Sequence, residues 1–293
     1  MQTQEPSPPP SSAWSAGPPE PKRLIISDLD GTLLNRQKIV TERTSASINA
    51  FIARGGLFAV ATARMAYGCD TKLADIRMTL PGIVMNGASL YRFDTKVYSD
   101  TVVIESSKAL EVVDAVVRHG AGGFLYSIGS DGIRLGYLRD NDLSFTQYNS
   151  QRAQEAAVEI QRVAAVERWI ADNPVCYIAV TGDQAIVKNL EASLVGNDEL
   201  RVNGYDNIYS ATRCLEIADR LAGKEQAARR MVGELGVEEL IVFGDGHNDL
   251  ALMSAADVSY APVHAPADVK VEASEVIGSN DEDAVAEILD QRY

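Results

Sequence analysis

Asp28-Leu29-Asp30-Gly31-Thr32-Leu33 places two carboxylates at i and i+2, next to a glycine. Such a pair can share a cation and an anionic group, while Gly31 lets backbone N–H groups turn inward. The dipeptide Asp-Gly is also ordinary turn chemistry, so the six-residue string is the more specific signal. Thr62 offers a hydroxyl that could donate to a phosphoryl oxygen or cap the helix-compatible stretch after it. Gly223-Lys224 puts a cation at a helix start, where the dipole disfavours it by ~0.3–1 kcal/mol. That placement points to an anionic partner; a solvated lysine is the plainer alternative. It is not a P-loop, because Ala218 stands where the first Gly belongs and Glu225 where Ser or Thr should follow. In Gly244-Asp245-Gly246-His247-Asn248-Asp249, Asp245 could reach a hard cation, and Asn248 and Asp249 could hold the loop and a metal-bound water. A capped turn is the competing reading there. Taken together, the four stretches supply acidic metal ligands, a hydroxyl and a lysine, which are the parts phosphoryl transfer needs.

These groups need a frame. Apolar runs at Leu24–Ser27, Leu57–Thr62, Cys214–Ala218 and Leu240–Phe243 read as buried core strands, with the four stretches at or beyond their carboxyl ends. Open α/β sheets bind ligands at that edge. Gly82–Met85 reads as a further strand, and about Thr41 to Arg54 as a helix with Ile48, Phe51 and Ile52 on one face, stopped by Gly55-Gly56. Alternating strand and helix implies α/β architecture with a parallel sheet covered on both faces. Residues 87–209 differ, with turn chemistry at Phe93-Asp94-Thr95-Lys96 and Ser130-Asp131-Gly132 and helical stretches near Ser107–His119, Gln151–Ala171 and Asp183–Val195. The expected organisation is a Pro-rich disordered tail over 1–21, a core over 22–86 and 210–293, and an inserted α+β unit between them. The tail holds seven of the eleven prolines, and its Trp14 reads as an incidental exposed aromatic.

With 27 Lys and Arg against 41 Asp and Glu, the chain carries −14 and opposes a nucleic-acid partner. The same charge repels a phosphorylated substrate, so a site for one requires local positive charge or a metal. Cys69, Cys176 and Cys214 fit neither a disulfide framework nor zinc spacing and read as small buried residues. No apolar run reaches the ~18 residues of a membrane span, and the N-terminus lacks a secretory pattern. A cytoplasmic setting is expected.

The ordered set Asp28-Leu-Asp-Gly-Thr-Leu, Thr62, Lys224 and Gly244-Asp-Gly-His-Asn-Asp resembles the four motifs of the haloacid dehalogenase (HAD) superfamily, within it the Cof-like class IIB phosphatases. Asn86-Gly87-Ala88 resembles the start of that family's cap, and Ser279-Asn280-Asp281-Glu282-Asp283 the start of its closing helix. Ala63 and Ala284 depart from positions where the family usually has Gly. The resemblance implies a Rossmann-like core with an inserted cap that closes over the site and reads the leaving group. It implies Asp28 as the nucleophile of an aspartyl-phosphate intermediate and Asp30 as acid and base. It implies Mg2+ held by the Asp28 carboxylate, the Asp30 carbonyl and Asp245, with Thr62, Lys224 and Gly31 around the phosphate and Asn248 and Asp249 supporting.

The implied activity is hydrolysis of a small phosphate ester, a sugar phosphate or phosphorylated cofactor. A class IIB phosphomutase and a non-catalytic phosphate-binding or regulatory protein on the same scaffold are the alternatives. Oligomeric state and the cap residues that set specificity are left open. Arg134 and Tyr137 are cap candidates indistinguishable from ordinary strand residues; Arg64, His247 and His264 are undecided, with loop support or solvent exposure the plainer roles.

Overall fold

The computed structural model describes residues 21–139, 158–206 and 211–293. The Pro-rich tail up to residue 20, with Trp14, lies outside the described residues. Strands β1 (Arg23–Ser27), β2 (Leu57–Val60) and β3 (Gly82–Val84) come first. An antiparallel meander then runs through β4 (Ser89–Arg92) and β5 (Val97–Ser99). A second sheet follows, built from β6 (Phe124–Gly129), β7 (Gly132–Tyr137), β8 (Glu159–Arg162), β9 (Val175–Asp183), β10 (Leu200–Asp206) and β11 (Thr212–Asp219). The chain closes with β12 (Glu239–Phe243), β13 (Val258–Pro262) and β14 (Glu275–Ile277).

The first sheet has the order β14-β13-β12-β1-β2 with every pairing parallel, and an Ala61–Ile83 bridge joins it towards β3. Strand periodicity sorts its side chains onto two faces. Ile25, Phe58, Ile241 and Phe243 pack with Ile48 and Phe51 of the helix Glu42–Ala53 and with Ile288 and Leu289 of the helix Ala284–Arg292. Leu24, Ile26, Ala59 and Val242 pack with Ala227, Ala228 and Met231 of the helix Lys224–Leu235 on the other face. From β1 the chain steps outward to β2 on one side, and its last strands step from β12 to β14 on the other. The reversal leaves a crevice between the carboxyl ends of β1 and β12, where open α/β sheets bind ligands.

The second sheet, β10-β11-β9-β6-β7-β8, is antiparallel apart from the parallel β7–β8 pair. The helices Ser106–Arg118 and Gln184–Leu194 cover one face through residues such as Val112, Val116, Val187 and Leu190. The other face, with Tyr126, Cys176 and Tyr177, packs on Ala66, Met85 and Ala88, which follow β2 and β3 in the chain. Among the described residues, no helix is long and apolar enough to cross a membrane.

Two expectations are corrected. Cys214–Ala218 is not a core strand: it lies in β11, paired antiparallel with β9 and β10 in the second sheet. Its alternation of buried and half-buried residues suits a sheet covered by helices on one side just as well as the core. We therefore place the return to the core after Asp219. The stretch Gln151–Ala171 is not one helix: its described part is β8 followed by the helix Val166–Asp172, and residues 151–157 lie outside the described residues. Of the three cysteines, all free, Cys69 and Cys176 are buried and Cys214 is only half-buried.

Candidate active site

Asp28 extends β1 by one residue, and its N–H donates to the Phe243 carbonyl at 2.8 Å, fixing it against the end of β12. Two residues past Phe243, Asp245 enters the same crevice, where Thr32 Oγ1 donates to its Oδ1 at 2.9 Å. Lys224 is the first residue of its helix and is only 2 % exposed. Its Nζ donates to Asp28 Oδ1 at 2.6 Å and to Asp249 Oδ1 at 2.7 Å. The solvated-lysine reading is thus excluded. The anionic partners that its place at a helix start pointed to are two carboxylates of the chain itself.

Asp249 organises the loop before it, with Oδ2 accepting from the N–H groups of Asp245 at 3.2 Å and Gly246 at 3.0 Å. Gly31 has φ +88°, and a Cβ there would stand 2.3 Å from Asp245 Oδ2, so the tight approach of the first and fourth motifs requires glycine. Thr62 is buried, with its hydroxyl accepting from the Arg64 N–H at 3.1 Å rather than capping a helix. His264 Nε2 bonds the Gly31 carbonyl at 2.9 Å, and His247 Nε2 bonds Asp268 at 2.8 Å. Asn248 donates to Asn86 Oδ1 at 3.0 Å. Arg134 pairs with Asp131 in the β6–β7 turn, and Tyr137 packs in the layer between the two units.

Asp30 points elsewhere. Arg64 holds it through two donors, one of them to Oδ1 at 2.7 Å, and Lys38 Nζ donates to Oδ1 at 2.9 Å. Burial by itself raises this carboxyl, but Arg64 and Lys38 overcome it and hold it down at about 2. Burial pushes Asp28 the other way, up to about 8, with Lys224 pulling against it and Asp249 and Asp245 pushing further. Asp245 is also raised, chiefly by burial, with the Thr32 hydrogen bond opposing. Burial lowers the Lys224 ammonium, but Asp249 and Asp28 more than offset this and leave it raised.

Oxygens of Asp28, Asp245 and Asp249 lie within 4.8 Å of one another, the acidic cluster of metal-binding geometry among the described residues. Three carboxyl groups converge beside one lysine, and oxygen donors of this kind suit a hard divalent cation. The donor set therefore fits Mg2+. Besides the expected Asp28 and Asp245, the Asp249 carboxylate joins the cluster. Thr32, Lys38 and Asn86 also belong to this neighbourhood. Thr32 was present in the first motif string, Asn86 was visible only as part of the resemblance to a cap start, and Lys38 carried no local signal.

The family model for haloacid dehalogenase-like hydrolases matches residues 25–289. The chain belongs to that family. Among curated relatives, the pyridoxal phosphate phosphatase YbhA of Escherichia coli is 24% identical over 275 residues, covering 91% of this chain and 97% of that protein. The 5-amino-6-(5-phospho-D-ribitylamino)uracil phosphatase YwtE of Bacillus subtilis is 23% identical, covering 92% and 97%. A haloacid dehalogenase-like hydrolase from Bacteroides thetaiotaomicron shares the fold at a TM-score of 0.73 and 22% identity, over 92% of this chain and 99% of that one. The HAD subclass IIB sugar phosphatase BT4131 does so at 0.72 and 18%, over 92% and 98%. This HAD family member is a phosphoric monoester hydrolase, with a parallel-sheet core and an inserted cap.

Proposed function

We propose that this HAD-type enzyme is a Mg2+-dependent phosphatase of small phosphorylated metabolites, sugar phosphates or phosphorylated cofactors, acting through an aspartyl-phosphate intermediate at Asp28. The observation that carries it is Lys224 bridging Asp28 and Asp249 in the β1–β12 crevice, with Asp245 inside the same cluster. In this reading the Asp28 carboxylate attacks phosphorus and the leaving oxygen departs with a proton from Asp30. Asp30 then takes a proton from the water that cleaves the acyl phosphate. Thr62, Lys224 and the backbone at Gly31 hold the phosphoryl oxygens, and Asn248 and Asp249 support the loop. Asp28, the Asp30 carbonyl and Asp245 would hold Mg2+, which supplies Lewis-acid stabilisation of the charge on the transferring group. The free thiols support a cytoplasmic setting.

Release of inorganic phosphate from a panel of sugar phosphates, nucleotides, pyridoxal phosphate and flavin mononucleotide, with Mg2+ and with chelator, tests this. Hydrolysis of at least one monoester that chelator stops is the expected result. Silence across the panel, or release indifferent to chelator, refutes it; phosphate returned to a second position of the substrate would mark a mutase.

Asp30 must leave Arg64 and Lys38 and gain a proton before it can serve as an acid. Lowering its carboxyl to about 2 confines the protonated form to acidic solution. Removing a cation raises that carboxyl, so the acid form survives to higher pH. Lys38→Met therefore moves the limb of kcat/KM assigned to Asp30 upward in pH, read from a pH–rate profile with a substrate of poor leaving group. An unshifted limb would separate Asp30 from the acid role.

A further inference from the structure

Glu216 stands on β11 of the cap, and its carboxylate collects neutral donors. Asn86 Nδ2 donates to Oε2 at 2.9 Å, Asn203 Nδ2 to the same oxygen at 3.3 Å, and the Tyr205 hydroxyl to Oε1 at 2.9 Å. Asn86 is the pivot. Its amide gives Nδ2 to Glu216 and its Oδ1 to the Asn248 side chain at 3.0 Å. Asn248 adjoins Asp249, which holds Lys224 and the Asp245 and Gly246 N–H groups. A chain of hydrogen bonds therefore runs from a cap strand into the loop that carries two members of the acidic cluster.

The chain has a direction set by chemistry. An ionised carboxylate only accepts, so Glu216 selects the NH2 end of the Asn86 amide and leaves the carbonyl end for a donor. A reversed amide would face Asn248 Nδ2 with another NH2 group. The backbone is also committed here, since Met85, Asn86 and Gly87 have φ of +49°, +52° and +94° in succession. Gly87 lies against the second chain crossing, where a Cβ would meet the Gly223 carbonyl carbon at 2.3 Å. Both crossings between core and cap therefore meet beside Asn86 and beside Lys224. Left-handed residues other than glycine persist where their surroundings over-determine them.

We propose that Glu216 is a positioning residue: by orienting Asn86 it ties the seating of the cap to the loop Gly244–Asp249, and so to the carboxylates of Asp245 and Asp249. Its consequence for turnover rests on the phosphatase reading above; its consequence for the loop does not. Amide hydrogen exchange in the full chain separates the two. Glu216→Ala and Asn86→Gly should speed exchange at the Asp245 and Gly246 N–H groups by about tenfold, with the β12 amides unchanged. Asn86→Gly keeps a residue that tolerates the left-handed backbone, so it decides the matter if Glu216→Ala does not fold. Glu216→Gln, which can still accept from Asn86, should recover most of the protection.

With p-nitrophenyl phosphate, the same variants should lower kcat with little change in KM. The double variant Glu216→Ala with Asn248→Ala should be within about threefold of Asn248→Ala alone, as links in series require. Unchanged exchange at Asp245 and Gly246, acceleration spread equally through core and cap, or single effects that multiply in the double variant would each overturn the assignment. If the wild-type chain hydrolyses nothing, the phosphatase reading falls while the exchange measurement still decides the role of Glu216.

Discussion

Asp28→Asn removes phosphate release by more than about 10^4-fold while the chain still folds. An amide at the end of β1 keeps the shape and the backbone bond to Phe243 but has no charge with which to attack phosphorus. Steady-state release from the best ester of the panel measures it, and near-normal turnover would remove Asp28 as the nucleophile. Stability should move the opposite way. Burial raises the Asp28 carboxyl from 3.8 to about 8, so between those values the folded chain keeps a proton that the unfolded chain has lost. Folding stability without metal therefore falls as pH rises through that window, and an asparagine has no such slope. In chelator the variant should gain melting temperature over the wild type from acid towards pH 8. Parallel curves for the two proteins would contradict the burial argument.

Lys224→Met is the second large effect. Methionine nearly matches the lysine stem in volume but leaves the Asp28 and Asp249 carboxylates buried without their shared cation. Breaking a buried pair from one side costs about 3 to 5 kcal/mol, because the partner charge stays where water cannot reach it. Denaturant unfolding above pH 8 in chelator, where the Asp28 carboxyl is ionised, should show a loss of that order, shrinking as the pH falls and Asp28 takes up its proton. Turnover should be lost as well, since the same ammonium faces the phosphoryl site in the proposed reaction. A variant as stable as the wild type above pH 8 would contradict the buried ion-pair argument.

Much of this site was legible because its residues sit in short strings directly after strands. Asp28, Asp245 and Asp249 belong to two such strings, and parallel strand packing alone brings the ends of β1 and β12 side by side. Lys224 was legible as a lysine in an unfavourable helix position, an anomaly that its two buried carboxylate partners explain. The partners of Asp30 were not, since Lys38 and Arg64 lie in loops whose course depends on tertiary packing. Glu216 carried no signal because it is a single carboxylate in an apolar strand whose sheet was itself misassigned. Cys214–Ala218 shows why: buried alternation marks a covered strand but does not say which sheet covers it.

The central place of β1 has a consequence for biosynthesis. One edge of β1 pairs with β2, close behind it in the chain, but the other waits for β12, more than two hundred residues later. At ~5–20 residues per second, that edge stays open on the ribosome for roughly 10 to 40 seconds. Over this interval Leu24, Ile25 and Ile26 form an unpaired apolar strand edge, the kind of surface that recruits other chains. Nascent chains halted before Glu239 should therefore depend on a chaperone, whereas release past Ile277 lets the sheet close on itself.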